Sequence, residues 1–212
     1  MSSTPSSSSA PGQPQATGSE PRHRGLTPRD VALIAVFAAV IAVLSMPFAI
    51  PLGPVPITLQ TLGVMLAPSV LGAKRGTLAV LVFLALALAG LPLLAGGRGG
   101  LAPFLGATGG YLWGFVLGAL VIGLIVDRMR TYRMTWGVLA NLVGGVLVVY
   151  LVGIPWTAYV TEDALLATVL ATGVFLPGDL AKIVIAAAIA AGVHRAYPVP
   201  RAGRPITQET QQ

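Results

Sequence analysis

Apolar residues run in long blocks separated by short polar or Gly/Pro-rich joints. Crossing about 30 Å of hydrocarbon takes roughly 20 apolar residues in a helix. By that measure six blocks are candidate spans: 31–50, 57–71, 76–94, 109–126, 136–154 and 177–193. Pro47 interrupts the first block late, and Pro51, Pro54 and Pro56 mark the connection that follows it. The second block is short, which predicts a tilted or partly buried helix, and 72–76 reads as the turn into the third. Pro177 suits the first position of the sixth helix. An extra apolar stretch, 164–176, is too short to span alone and is expected across or beneath the outer surface. No internal repeat of 20–50 residues is evident.

The two ends lack such blocks. Residues 1–24 hold seven Ser and four Pro with almost nothing apolar, too little to bury on folding, and no secretory apolar core. The expected organisation is therefore a disordered cytoplasmic tail over 1–25, a six-helix membrane domain over 26–195, and a flexible cytoplasmic tail over 196–212. Composition agrees: 55% of residues are hydrophobic and 9% charged, with mean hydropathy +0.82, whereas soluble domains average about 45–50% and about 25%. The net charge of +6 comes from 13 Lys+Arg against 7 Asp+Glu. Twenty charges are too few for a nucleic-acid-binding face. There is no Cys, and His23 and His194 lie near opposite ends, so neither a metal site nor a cofactor is expected.

Charge placement sets the orientation. If six spans alternate from a cytoplasmic amino terminus, the inner segments hold Arg22, Arg24 and Arg29, then Lys74 and Arg75. They also hold Arg128, Arg130 and Arg133, then Arg195, Arg201 and Arg204: 11 of the 13 cations. This strong positive-inside bias predicts an all-α, multi-pass protein of the cytoplasmic membrane, a six-helix bundle with both termini inside. Tyr132 and Trp136 suit the inner aromatic belt; Tyr111, Trp113, Trp156 and Tyr159 suit the outer.

Two cations are left over. Lys182 lies in the sixth block three residues after Asp179, a spacing that puts both on one helix face. Ionisable groups within a span cost at least about 2.5–3.5 kcal/mol each, so they face a polar cavity or one another. Asp179 and Lys182 thus form either an internal ion pair that locks the helix or part of a ligand site in the outer half. Arg98 stands in a loop with Gly96, Gly97, Gly99 and Gly100, where it is either solvated or a ligand contact. Those glycines remove bulk and permit close backbone approach to a small molecule. Gly109 and Gly110 open the fourth helix, whose amides and dipole suit an anion, while Gly114, Gly118 and Gly144 suit helix packing. Thr58, Gln60 and Thr61 supply donors and acceptors; Thr58 fits a cap, and Gln60 fits either a cap or a ligand. Asn141 reads as glue between helices.

The first helix carries two staggered pairs of small residues, Ala35 with Ala39 and Ala38 with Ala42. Such pairs admit close approach of another helix, within the bundle or from a partner subunit. The chain has no P-loop, no H-E-x-x-H and no G-x-S-x-G, which removes the common routes to ATP hydrolysis and lipid or peptide hydrolysis. A binding or transport protein, not an enzyme, is the expectation.

Four segments in order, VPITLQTL (55–62), GLPLLAGGRGG (90–100), GATGGYLWGF (106–115) and PGDLAK (177–182), resemble the BioY family of biotin-binding S components of energy-coupling-factor (ECF) transporters. Ala107 departs from it, standing where the family often has Pro. The resemblance spans about 26–196 and implies a six-helix bundle in the lipid bilayer that takes biotin from the outer side. It also implies association with a transmembrane T component and two cytoplasmic ATPase subunits. The family's Asp and Lys carry over to Asp179 and Lys182, and its docking face to Ala35, Ala38, Ala39 and Ala42. The expected biotin contacts are Asp179, Lys182, Arg98, Gln60, Gly97, Gly99, Gly109, Gly110 and Tyr111. The alternative is an ion-coupled carrier of biotin or a similar carboxylate acting without ATPases, although paired inverted halves are not evident.

Overall fold

A computed structural model describes residues 25–46 and 58–197, and every regular element among them is helical. Helix α1 (Pro28–Ser45) starts at a reciprocal cap: Thr27 Oγ1 accepts from the Asp30 amide, and the Asp30 carboxylate accepts from the Thr27 amide. Then come α2 (Gln60–Leu88), the single turn α3 (Ala102–Leu105) and α4 (Gly109–Arg128). Helix α5 (Met134–Ala140) widens into a π-helical segment, Asn141–Val148, and continues as α6 (Val149–Thr161). The short α7 (Leu165–Thr172) leads through a 3₁₀ turn, Gly173–Phe175, into α8 (Leu176–Ala196). Five of these helical stretches are long and apolar enough to cross a membrane: Pro28–Ser45, Gln60–Leu88, Gly109–Arg128, Met134–Thr161 and Leu165–Ala196.

One stretch is not a single rod. Gly72 sits at φ 79°, ψ −175° inside α2, a region essentially restricted to glycine. A Cβ on Gly76 would overlap the backbone of Pro68, so the chain folds back at Gly72 and the arms 60–71 and 73–88 lie side by side. The turn expected over 72–76 is thus one residue long. Its tightness comes from Asp127 of α4, whose carboxylate accepts the Ala73 amide at 3.0 Å and occupies the space a Cβ on Gly72 would need. Gly72→Ala is expected to destabilise the bundle by about 1–3 kcal/mol. A thermal melt in detergent checks this, and an unchanged midpoint would refute the hairpin.

Other boundaries also moved. The third block was expected to run to residue 94, yet its helix stops at Leu88, because Gly90 (φ 106°) turns the chain out of the axis. The fifth was expected to end at residue 154 and instead runs through Pro155 to Thr161. Beyond that proline, Trp156 Nε1–H donates to the Gly106 carbonyl (2.9 Å) and the Thr157 hydroxyl to the Ala107 carbonyl (2.7 Å). These bonds anchor the turn that the missing proline N–H would otherwise loosen. The stretch at 164–176 is the short helix α7 joined to α8, whose start at Leu176 with Pro177 in its first turn matches expectation. The expected tails lie outside the described residues, except Gly25, Ala196 and Tyr197.

Small residues bring the helices together. A Cβ on Gly118 would overlap the Gly144 carbonyl, so α4 meets the π-helical segment backbone to backbone. Ser69 donates to Asn141 Oδ1 at 2.9 Å, the interhelical bond expected of Asn141. Phe83, Ile41, Met65 and Ile122 fill the interior, while Leu151 and Leu170 are 76% and 71% exposed, as lipid-facing side chains would be. Polar contacts gather at two poles. At one, Arg75 pairs with Asp30 at 2.7 Å, Arg29 donates to the Tyr197 hydroxyl at 2.6 Å, and Tyr132 stacks on His194. The other pole holds the candidate site.

Candidate functional site

Opposite the cation-rich pole, the start of α2, the loop after it, α4, α6 and α8 enclose a cavity of about 80 Å³. Its polar wall is built on α8. Pro177 fixes the entry into that helix, and Asp179 and Lys182, one turn apart, both point inward with 5% and 7% of their surface exposed. Lys182 Nζ donates to Asp179 Oδ1 (3.0 Å) and to Thr61 Oγ1 (3.0 Å). The Thr61 hydroxyl donates to Asp179 Oδ1 (3.3 Å) and the Tyr150 hydroxyl to Oδ2 (2.6 Å). The internal ion pair expected of these residues is present, and it forms part of the cavity wall. A buried pair of this kind persists only where further hydrogen bonds satisfy it, and Thr61 and Tyr150 supply them.

The α2 arm contributes the second polar group. Thr58 Oγ1 accepts the Gln60 amide proton at 3.2 Å, although the N-cap of α2 is Leu59 and not Thr58. Gln60 is 5% exposed and lines the cavity, yet its Nε2 has no hydrogen-bond partner among the described residues. Buried polar atoms are nearly always satisfied, so this amide stands out on the cavity wall. Arg98 reaches the cavity from the loop after α2, its Nε–H held by the Ala95 carbonyl at 3.0 Å. Tyr111 is buried, edge-on to Tyr150, with its hydroxyl 3.4 Å from Thr172 Oγ1. Leu112, Phe115 and Phe175 form the apolar side.

Of the nine expected contacts, Asp179, Lys182, Arg98, Gln60 and Tyr111 meet at this cavity. The four glycines do not line it. Gly97 is exposed, its Cβ position open, and Gly99 borders a neighbouring cavity under the loop. Gly109 and Gly110 serve packing: a Cβ on either would collide with Trp156. Nor is the start of α4 open to an anion, since the amides of Gly109, Tyr111 and Leu112 donate to the Gly106 and Thr108 carbonyls. Tyr150 and Phe175, which also line the cavity, were missed. The available signal for Tyr150 was its hydroxyl within an apolar run, because a buried phenol needs a partner. Nothing in sequence singles out Phe175.

The two alanine pairs of α1 separate cleanly. Ala38 is buried beside Ile34 and Ile41, and Ala42 packs against the same core. Ala35 and Ala39 are exposed on the adjoining flank of the helix, next to Val36 and Val43 at 57% and 65%.

Residues 17–199 match the BioY family. The chain is 47% identical over 161 residues to the biotin transporter BioY of Rhodobacter capsulatus, covering 70% of this chain and 84% of that one. To the biotin transporter BioY of Rhizobium etli it is 43% identical over 152 residues, covering 69% and 81%. Among solved structures, it resembles the S-component for biotin from an ECF-type ABC transporter. That match has a TM-score of 0.76 at 35% identity, covering 79% of this chain and 91% of the other.

Proposed function

Because the chain belongs to the BioY family, we propose that it takes up biotin as the substrate-binding S component of an ECF-type transporter. It is a membrane transport protein, not an enzyme. The observation that carries the substrate is the cavity that joins a buried carboxylate, a buried ammonium and an unpartnered amide donor on one polar wall facing an apolar one. Biotin has matching parts: an apolar bicycle, a ureido group with two N–H donors and one acceptor, and a carboxylate. Asp179 accepts a ureido N–H, Gln60 Nε2 donates to a ligand oxygen, and Lys182 or Arg98 meets the carboxylate. Phe115, Leu112 and Phe175 cover the bicycle. The cavity of about 80 Å³ is smaller than the roughly 300–1,000 Å³ of common ligand sites, so it must widen as biotin enters.

The chain crosses the cytoplasmic membrane six times with both termini inside. The reversal at Gly72 supports the count by dividing α2 into two arms, the first of which, 60–71, is short and buried as the sequence predicts. The clustering of Arg29, Arg75, Arg128 and Arg133 towards one pole supports the direction. Energy comes from a T component and two ATPase subunits, with the exposed Ala35–Ala39 face of α1 as the docking surface. Calorimetric titration of the purified full-length chain in detergent is expected to give saturable, one-to-one biotin binding. No heat and no change in tryptophan fluorescence with biotin would overturn this reading.

A further inference from the structure

At the cation-rich pole, a cavity of about 560 Å³ opens between the end of α4 and the start of α5, away from the biotin site. Ile125, Met129 and Trp136 line its apolar part, and Arg128, Arg130 and Arg133 its rim. Among the described residues, no acidic side chain lines it. The nearest carboxylate along the chain, Asp127, is turned to the other side of α4, where it holds the Ala73 amide. Positive charge is thus concentrated on one side of a hollow whose other side is hydrocarbon. Trp136 is half exposed, at the level where indoles favour the border between acyl chains and headgroups.

A soluble anion has no use for the apolar side, and an acidic protein surface would leave Trp136 and Ile125 facing lipid. A phospholipid satisfies both sides at once. We propose that this cavity binds an anionic phospholipid of the inner leaflet, its phosphate held by Arg128, Arg130 and Arg133 and its upper acyl chain lying on Ile125 and Trp136. The proposal rests on the membrane orientation given above, but not on biotin binding. Three guanidiniums suit a phosphate better than lysines would, because each offers a planar fork of donors.

Native mass spectrometry of the full-length protein, titrated with dioleoyl-phosphatidylglycerol, tests it. Dioleoyl-phosphatidylcholine is the control lipid and inorganic phosphate the competitor. Wild-type protein is expected to retain phosphatidylglycerol selectively. The double variant Arg130→Gln/Arg133→Gln should lose about 25-fold in apparent affinity, taking about fivefold per basic residue near a membrane surface. Biotin affinity, measured on the same samples, stays within twofold, which shows the variant folded and separates this test from that of the transport reading. Equal retention of the two lipids, or undiminished phosphatidylglycerol binding by the variant, would overturn the proposal. So would full displacement by inorganic phosphate, which would make the site one for a free anion. Loss of partner-subunit association in the variant without any change in lipid retention would assign the patch to a protein contact instead.

Discussion

Asp179→Ala is expected to lower biotin affinity by two to three orders of magnitude. The substitution removes the carboxylate that accepts from Lys182, Thr61 and Tyr150 and leaves the Lys182 ammonium buried without its counter-charge. Breaking a buried pair from one side costs about 3–5 kcal/mol. Part of that loss falls on the fold, so Asp179→Asn is the companion: it keeps the shape while removing charge and one acceptor. Calorimetry with biotin, alongside a melt of each variant, separates the two effects. An Asp179→Asn protein that melts like wild type yet binds biotin with undiminished affinity would remove Asp179 from the ligand site. Tyr150→Phe deletes only the 2.6 Å hydrogen bond to Oδ2 and should cost about 1.5–3 kcal/mol, as for bonds to charged groups. Its effect must be smaller than that of Asp179→Ala, because the ion pair survives.

The second large effect concerns assembly. Ala39→Trp is expected to reduce biotin uptake by cells to background and to abolish co-purification with T and ATPase subunits. Biotin binding by the isolated chain should stay within about twofold. The reason is geometric: Ala39 is exposed and lies outside the core that Ile34, Ala38 and Ile41 help to form, so an indole there obstructs an incoming helix and leaves that core intact. Ala38→Trp is the contrasting control. That position is 4% exposed, and overpacking it should lower the melting midpoint and biotin binding together. Retained uptake with Ala39→Trp would refute the docking face. Uptake by liposomes containing this chain alone, driven by a pH gradient, would refute the need for partners.

Much of the fold was legible because a membrane imposes a one-dimensional rule. Each block must be apolar over a set length, and each joint must be polar or rich in turn residues. Hence the starts of α4 and α8, Gly109 and Leu176, lie within a residue of expectation. The candidate pair Asp179 and Lys182 was legible for the same reason: an ionisable group in an apolar block is costly wherever it points, so its presence alone requires explanation. Boundaries failed where a neighbour outweighed the local signal. The fifth block was expected to end at residue 154, yet its helix runs on through Pro155, and the carbonyls of Gly106 and Ala107 bind Trp156 and Thr157 just beyond it. The glycine-rich segments failed in the opposite way. Gly109 and Gly110 look like an anion cradle, but the Phe104 carbonyl and Trp156, 46 residues on at least, fill the space.

Sequence by itself determined the solvent, the helical class and the separation of charge between the joints and the one polar helix face, because these depend only on which residues occur and at what spacing. Tertiary structure decided which polar groups share a cavity, which alanine pair is left outside, and that the chain reverses within a single residue at Gly72. Those outcomes depend on which helices become neighbours. Asp179 is completed by Thr61 and Tyr150 from two other helices, and Gly72 is fixed by Asp127 of a third. No local periodicity encodes such meetings, since they arise only when distant faces pack.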